Sequence, residues 1–126
     1  MKQSKKVMIV DDSMIMRHMI KKYISGENVE IVGTAENGRI ALDLFKQTNP
    51  DIVTLDITMP EMDGLTLLET MMNMNKNVKV MVITALSDKT TGLKAMKMGA
   101  TSYITKPFSE QALKEIMNRV VFESAN

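Results

Sequence analysis

Five side chains able to do chemistry stand at the ends of strand-like runs. Asp11 and Asp12 follow Val7 to Val10, Asp56 follows Ile52 to Leu55, Thr84 follows Lys79 to Ile83, and Lys106 follows Thr101 to Thr105. A carboxylate at the carboxyl end of a buried strand points into the crevice where open α/β sheets place their ligands. Singly, each has a plain explanation. Asp56 would be a loop acid or a helix cap, Asp12 or Ser13 the cap of the next helix, Thr84 a β-branched strand residue and Lys106 a surface lysine. Together they make an acidic cluster, in which carboxylates about 5 Å apart repel by roughly 3 kcal/mol per pair at an effective dielectric near 20. A fold tolerates that when something neutralises it, and a divalent cation and the Lys106 ammonium can do so together. Magnesium suits such a site, because it takes few carboxylates, keeps several waters and bridges to phosphoryl oxygens.

These residues meet only on a scaffold that brings strand ends to one rim, and the chain alternates as such a scaffold requires. Val7 to Val10 is continuously apolar, the pattern of a strand buried on both faces. Met16, Met19, Ile20, Tyr23 and Ile24 then recur at the spacing of one helical face, with Ser13 as N-cap and Gly26 as the stop. Glu30 to Ala35 is less apolar and alternates, as an edge strand does. Asn37-Gly38 opens a second helix with Ala41, Leu44 and Phe45 on one side, and Asn49-Pro50 breaks it. Ile52 to Leu55 is a third strand. A helix from about Asp63 to Met74 follows, capped by Asp63, with Leu65, Leu68, Met71 and Met72 inward. Lys79 to Ile83 is another buried strand, ending in Thr84-Ala85. A weaker helix over roughly Asp88 to Met98 ends at Gly99, and Thr101 to Thr105 is a short polar strand. After Lys106-Pro107-Phe108 the last helix places Ala112, Leu113, Ile116, Met117 and Val120 in register.

Strands alternating with helices imply a parallel sheet covered on both faces, with right-handed crossovers. The polar second and fifth strands belong at the edges and the apolar first, third and fourth in the middle. The predicted fold is therefore α/β, a flavodoxin-like (βα)5 doubly wound parallel sheet of order 2-1-3-4-5.

Composition bounds the rest. The 126 residues make one domain, 44% hydrophobic and 25% charged, with net charge +1, which gives no general pull toward nucleic acid or an acidic membrane. Cys is absent and His18 is the only histidine, so a disulfide framework or a zinc centre is not expected. His18 falls on the polar face of the first helix, near Arg17, Lys21 and Lys22, and reads as solvated. The first apolar run is too short for a signal peptide or a membrane span, and a cytoplasmic protein is predicted. Fourteen Met against five aromatic residues make an adaptable aliphatic core, and the cluster Met71-Met72-Asn73-Met74 must send some Met to solvent.

The chain resembles, over essentially its whole length, the receiver domain of two-component response regulators, and within that family it is most similar to the stand-alone chemotaxis regulators. The residues that carry the resemblance are Asp11-Asp12-Ser13, Asp56 with Met59-Pro60-Glu61-Met62-Asp63-Gly64, Thr84-Ala85, Gly99-Ala100, and Tyr103 with Lys106-Pro107-Phe108. The resemblance implies that residues 1–126 form a single receiver domain without an output domain. It makes Asp56 the phosphoacceptor, taking a phosphoryl group from a histidine kinase of the CheA type or from a small phosphodonor. It implies Mg²⁺ held by Asp11, Asp12, Asp56 and the backbone carbonyl of Thr58. It gives Lys106 and Thr84 as partners of the phosphoryl oxygens, and a cis Lys106–Pro107 bond. The chain would be a phosphoacceptor with slow self-dephosphorylation and not an enzyme. It would act as a monomer on a flagellar motor switch protein or another target.

In the family, phosphorylation draws the switch threonine, here Thr84, toward the phosphoryl group, and the ring of Tyr103 fills the vacated space. The surface of the fourth helix, fifth strand and fifth helix changes with it. Thr90-Thr91-Gly92 puts poor helix formers into the fourth helix, Gly alone costing about 1 kcal/mol against Ala, so that helix is predicted to be the least stable. Gly92 departs from the aliphatic residue that chemotaxis relatives often carry there, leaving Lys89, Lys97 and Tyr103 on that face. Thr58 and Leu86 lack the amide or carboxylate associated with fast hydrolysis, which predicts slower self-dephosphorylation than in the quickest relatives. A phosphorelay intermediate passing its phosphate to a histidine phosphotransfer protein is the second reading. An FMN-binding flavodoxin would need a Ser/Thr/Gly-rich phosphate loop where Asp11-Asp12 stands. An aspartyl phosphatase would want a second acid where Thr58 is.

Overall fold

A computed structural model of the chain describes residues 4–26, 28–59, 63–85 and 89–122. Five strands and five helices alternate: β1 (Lys5–Val10), α1 (Met14–Ile24), β2 (Val29–Ala35), α2 (Gly38–Thr48), β3 (Ile52–Leu55), α3 (Gly64–Met74), β4 (Lys79–Thr84), α4 (Lys89–Lys97), β5 (Ser102–Thr105) and α5 (Glu110–Phe122). The strands are parallel in the order β2-β1-β3-β4-β5, as the polarity of the runs predicts. Pleating splits β1 between two cores. Met8 and Val10 pack with Val53, Leu55, Phe45, Leu68 and Met71 on one face, and Val7 and Ile9 with Ile20, Met81, Leu113 and Met117 on the other. Among the described residues no helix is long and apolar enough to cross a membrane.

The helix boundaries follow from local chemistry. Ser13 accepts from the Met16 N–H (3.2 Å), Asn37 from the Ile40 N–H (2.9 Å) and Asp63 from the Leu65 N–H (3.1 Å), each satisfying an orphan donor of a first turn. Asn49 closes α2 in the left-handed region at φ 46°, one of the few residues other than Gly suited to it. Gly99 takes φ 109° just beyond α4.

Two expectations change. Gly26 does not stop the first helix: α1 ends at Ile24, and Ser25 caps it with its N–H and its hydroxyl on the Lys21 carbonyl, so no left-handed glycine is needed. In α3 the four residues read as inward all pack on the core, Leu68 and Met71 buried and Leu65 and Met72 half-buried, but the face is wider than predicted and buries Leu67 as well. The Met cluster does send a side chain to solvent: Met71 is buried and Met74 is 40% exposed. Asp88, the predicted start of the fourth helix, lies outside the described residues, as do Leu86, Pro60, Glu61 and Met62.

Two consequences can be measured. A Cβ on Gly64 would stand 2.2 Å from the Cα of Ile57, in the segment just past β3, whereas one on Gly26 would meet nothing within 4 Å. Gly64→Ala is therefore expected to lose about 3 kcal/mol or more in urea unfolding, and Gly26→Ala to change stability by less than about 1 kcal/mol in either direction. The helix α4 buries only Ala95, and Leu93 and Met96 are exposed. Its amides are expected to show the lowest hydrogen-exchange protection of the five helices, and uniform protection would refute this.

Candidate functional site

Strand register alone puts two acids side by side. Val10 pairs with Leu55, so the next residues, Asp11 and Asp56, leave adjacent strands at the same height. The backbone continues the ladder there, Asp56 N–H donating to the Val10 carbonyl and Asp11 N–H to that of Ala35, both at 3.0 Å. On the other side Thr84 pairs with Thr105, and the Lys106 N–H donates to the Thr84 carbonyl at 2.8 Å. That bond fixes where the lysine leaves the sheet. The Lys106–Pro107 peptide is cis, as the resemblance implied.

From that position Lys106 reaches across β4. Its Nζ donates to Asp11 Oδ2 at 2.8 Å and to Asp56 Oδ2 at 3.0 Å. Asp11 and Asp56 are buried, and Asp12 is exposed at the edge of the group. One oxygen from each of the three acids lies within 4.8 Å of the others. Thr84 is wholly buried at the end of β4. Tyr103 sits three residues before Lys106, half-buried, its ring 3.6 Å from where a Cβ on Gly92 would stand. The structure thus assembles Asp11, Asp12, Asp56 and Lys106 as one constellation, with Thr84 beside it and Tyr103 turned toward α4.

The sequence reading missed how fully these acids are held. Thr58 donates twice to Asp56 Oδ1, from its N–H at 2.8 Å and from its hydroxyl. The Ser13 N–H donates to Asp11 Oδ1 at 2.9 Å, and Arg17 Nη1 donates to the Asp11 carbonyl at 2.7 Å. Turn chemistry signals the first two, since an Asp bonds the N–H two residues on. In the sequence Arg17 is no more than a neighbour of the solvated His18 on the polar face of α1. Side chains on a helix lean toward its N-terminus, and that lean is the signal for its reach.

The two buried acids titrate in opposite senses. Burial pushes both carboxyls up. For Asp11 burial wins over the Lys106 and Ser13 bonds, and its pKa is raised. For Asp56 the two Thr58 donors and Lys106 outweigh burial, and its pKa is lowered. Burial alone would lower Lys106, but its bonds to Asp11 and Asp56 raise it. Asp56 is thus a firmly held anion, and Asp11 is the acid that gains most from a further cation. Three carboxylates face one ammonium with hard oxygen donors, a set that fits a divalent ion such as Mg²⁺.

Because the folded pKa of Asp56 lies below its unfolded value, its contribution to stability is present above that unfolded value, about pH 3.9, and lost as pH falls through the folded one. Thr58→Val removes one of the donors responsible. It is expected to cost about 1 kcal/mol at pH 7, below the usual range for a bond to a charged group because Thr58 is exposed. The gap from the parent should narrow below about pH 4 in urea unfolding, and a gap independent of pH would overturn the assignment.

Comparison with known proteins gives the same picture. A family profile described as response regulator receiver domain matches residues 7–118. The chemotaxis protein CheY of Thermotoga maritima is 41% identical over 116 residues, 92% of this chain and 97% of that protein. The receiver domain of AraT, a response regulator from Geobacillus stearothermophilus, superposes with a TM-score of 0.89 at 32% identity, over 96% of this chain and 95% of that one. The CheX–CheY–BeF3–Mg complex from Borrelia burgdorferi matches at 0.85 and 35% identity, over 97% of this chain and 90% of that one. The chain belongs to the response regulator receiver domain family, as a CheY-like chemotaxis regulator.

Proposed function

We propose that this receiver accepts a phosphoryl group on Asp56 and, so loaded, binds a chemotaxis partner. The observation that carries the reading is Asp56 itself, buried yet anionic, its Oδ2 on Lys106 and its Oδ1 on Thr58, beside two further acids. An Asp56 oxygen attacks the phosphorus of a phosphohistidine on a CheA-type histidine kinase, or of a small phosphodonor. The bond from phosphorus to the leaving nitrogen or oxygen breaks, and an acyl phosphate forms. Asp11, Asp12, Asp56 and the Thr58 carbonyl would hold Mg²⁺, which when bound neutralises charge on the transferring group. Lys106, already within bonding distance of Asp56, follows the charge onto the phosphoryl oxygens.

The new charge, about two negative units with three acceptor oxygens, sits one strand from Thr84. The Thr84 hydroxyl turns to a phosphoryl oxygen, Tyr103 repacks, and the surface of α4, β5 and α5 changes for a partner such as a flagellar motor switch protein. The exposure of Leu93 and Met96 on α4 supports a docking role for that face. Similarity to chemotaxis proteins over nearly their whole length favours this reading over a phosphorelay intermediate.

Intact mass after treatment with acetyl phosphate and Mg²⁺ tests the chemistry. The parent should gain one phosphoryl group, Asp56→Asn none, and Lys106→Met far less at equal time. Labelling of Asp56→Asn to the parent's extent would reject the acceptor. With no amide or carboxylate on Thr58, the label should decay over minutes, not seconds.

A further inference from the structure

Asp11 is held at every polar atom, and one hold comes from a side chain outside the cluster of acids and lysine. Its N–H donates to the Ala35 carbonyl, and its carboxylate oxygens accept from the Ser13 N–H and from Lys106. Its carbonyl, one residue past the end of β1, accepts from Arg17 Nη1 at 2.7 Å. Arg17 is half-buried, one turn into α1, and its own N–H donates to the Ser13 carbonyl at 2.9 Å. The same residue therefore grips the β1–α1 turn at Ser13 through its backbone and at Asp11 through its guanidinium. Among the described residues it forms no ion pair with a carboxylate, so its charge is not spent on a surface bridge.

We propose that Arg17 is a positioning residue for the divalent-cation site, an inference that rests on the Mg²⁺ reading above. By fixing the Asp11 carbonyl it sets the turn that carries Asp11 and Asp12, so that both carboxylates face Asp56. A planar guanidinium suits this task, because it holds its donors in a rigid fork. Residues that orient ligands from behind typically change metal affinity ten- to a hundredfold when lost.

Two simpler roles give different signs. If Arg17 acted only as a positive charge near three acids, removing it would tighten cation binding. If it were only a structural contact, removing it would lower the melting temperature and leave affinity unchanged.

The test is Mg²⁺ binding by calorimetry to the parent, Arg17→Met and Arg17→Lys, with thermal unfolding in chelator to confirm each is folded. Arg17→Met should bind Mg²⁺ about tenfold or more weakly, and Arg17→Lys, which keeps a long cationic donor, should fall between it and the parent. Equal or tighter binding by folded Arg17→Met overturns the role given to Arg17 and leaves the cation reading intact. Absence of Mg²⁺ binding by the parent overturns both. Should Arg17→Met not fold, Arg17→Gln, neutral and shorter, is judged by the same criteria.

Discussion

The bond pair from Lys106 to Asp11 and Asp56 is the interaction on which the site depends. At 2.8 and 3.0 Å the gross attraction is roughly 6 kcal/mol for each, at an effective dielectric near 20, against roughly 3 kcal/mol of repulsion between the two acids. One ammonium therefore outweighs the repulsion between the two acids, although the cost of burial still holds the Asp11 pKa up. Asp12 adds a third carboxylate, so the group as a whole is short of positive charge. The fold must deliver that lysine from the edge of the sheet across β4, and it does so by anchoring the Lys106 N–H on the Thr84 carbonyl. The residue assigned to the switch and the one assigned to charge neutralisation are thus joined through the backbone.

Two aspartates on adjacent strand ends share this lysine and still differ. Burial acts on both in the same direction, and the difference lies in the turn that follows each. After Asp56 comes Thr58, which supplies a hydroxyl and an N–H to the same oxygen. After Asp11 comes Ser13, whose hydroxyl is taken up in capping α1, leaving only its N–H for the acid. One extra donor separates an acid held as an anion from one whose pKa burial raises.

Helix coverage of the sheet is uneven, and the unevenness has a place in the mechanism. The helix α3 buries Leu67, Leu68 and Met71, and its first residue presses on Ile57 just beyond Asp56, so that side of the site is rigidly backed. The helix α4 rests on Ala95, with Gly92 against the ring of Tyr103. For the phosphorylation proposed above, a lightly anchored helix beside Asp56 is what a local charge change needs in order to act at a distance.

Most of the architecture was legible in the residues, because hydrophobic period and strand polarity are local properties. The apolar runs at Val7, Ile52 and Lys79 belong in the middle and the polar strands at the edges, and the observed order satisfies both demands. The residue types at the strand ends likewise named Asp11, Asp12, Asp56 and Lys106. What the amino-acid order could not specify was how much of each donor the site consumes. That Ser25 and not Gly26 ends α1, that Leu67 joins the inward face of α3 and is buried more fully than Leu65, that Arg17 reaches back to the Asp11 carbonyl, and that Thr58 turns its hydroxyl onto Asp56 all depend on where side chains point once the turns close. Periodicity reports which face a residue occupies. Only packing decides which of several reachable partners it takes, because that choice is a competition among hydrogen bonds and burial that distant strands bring together.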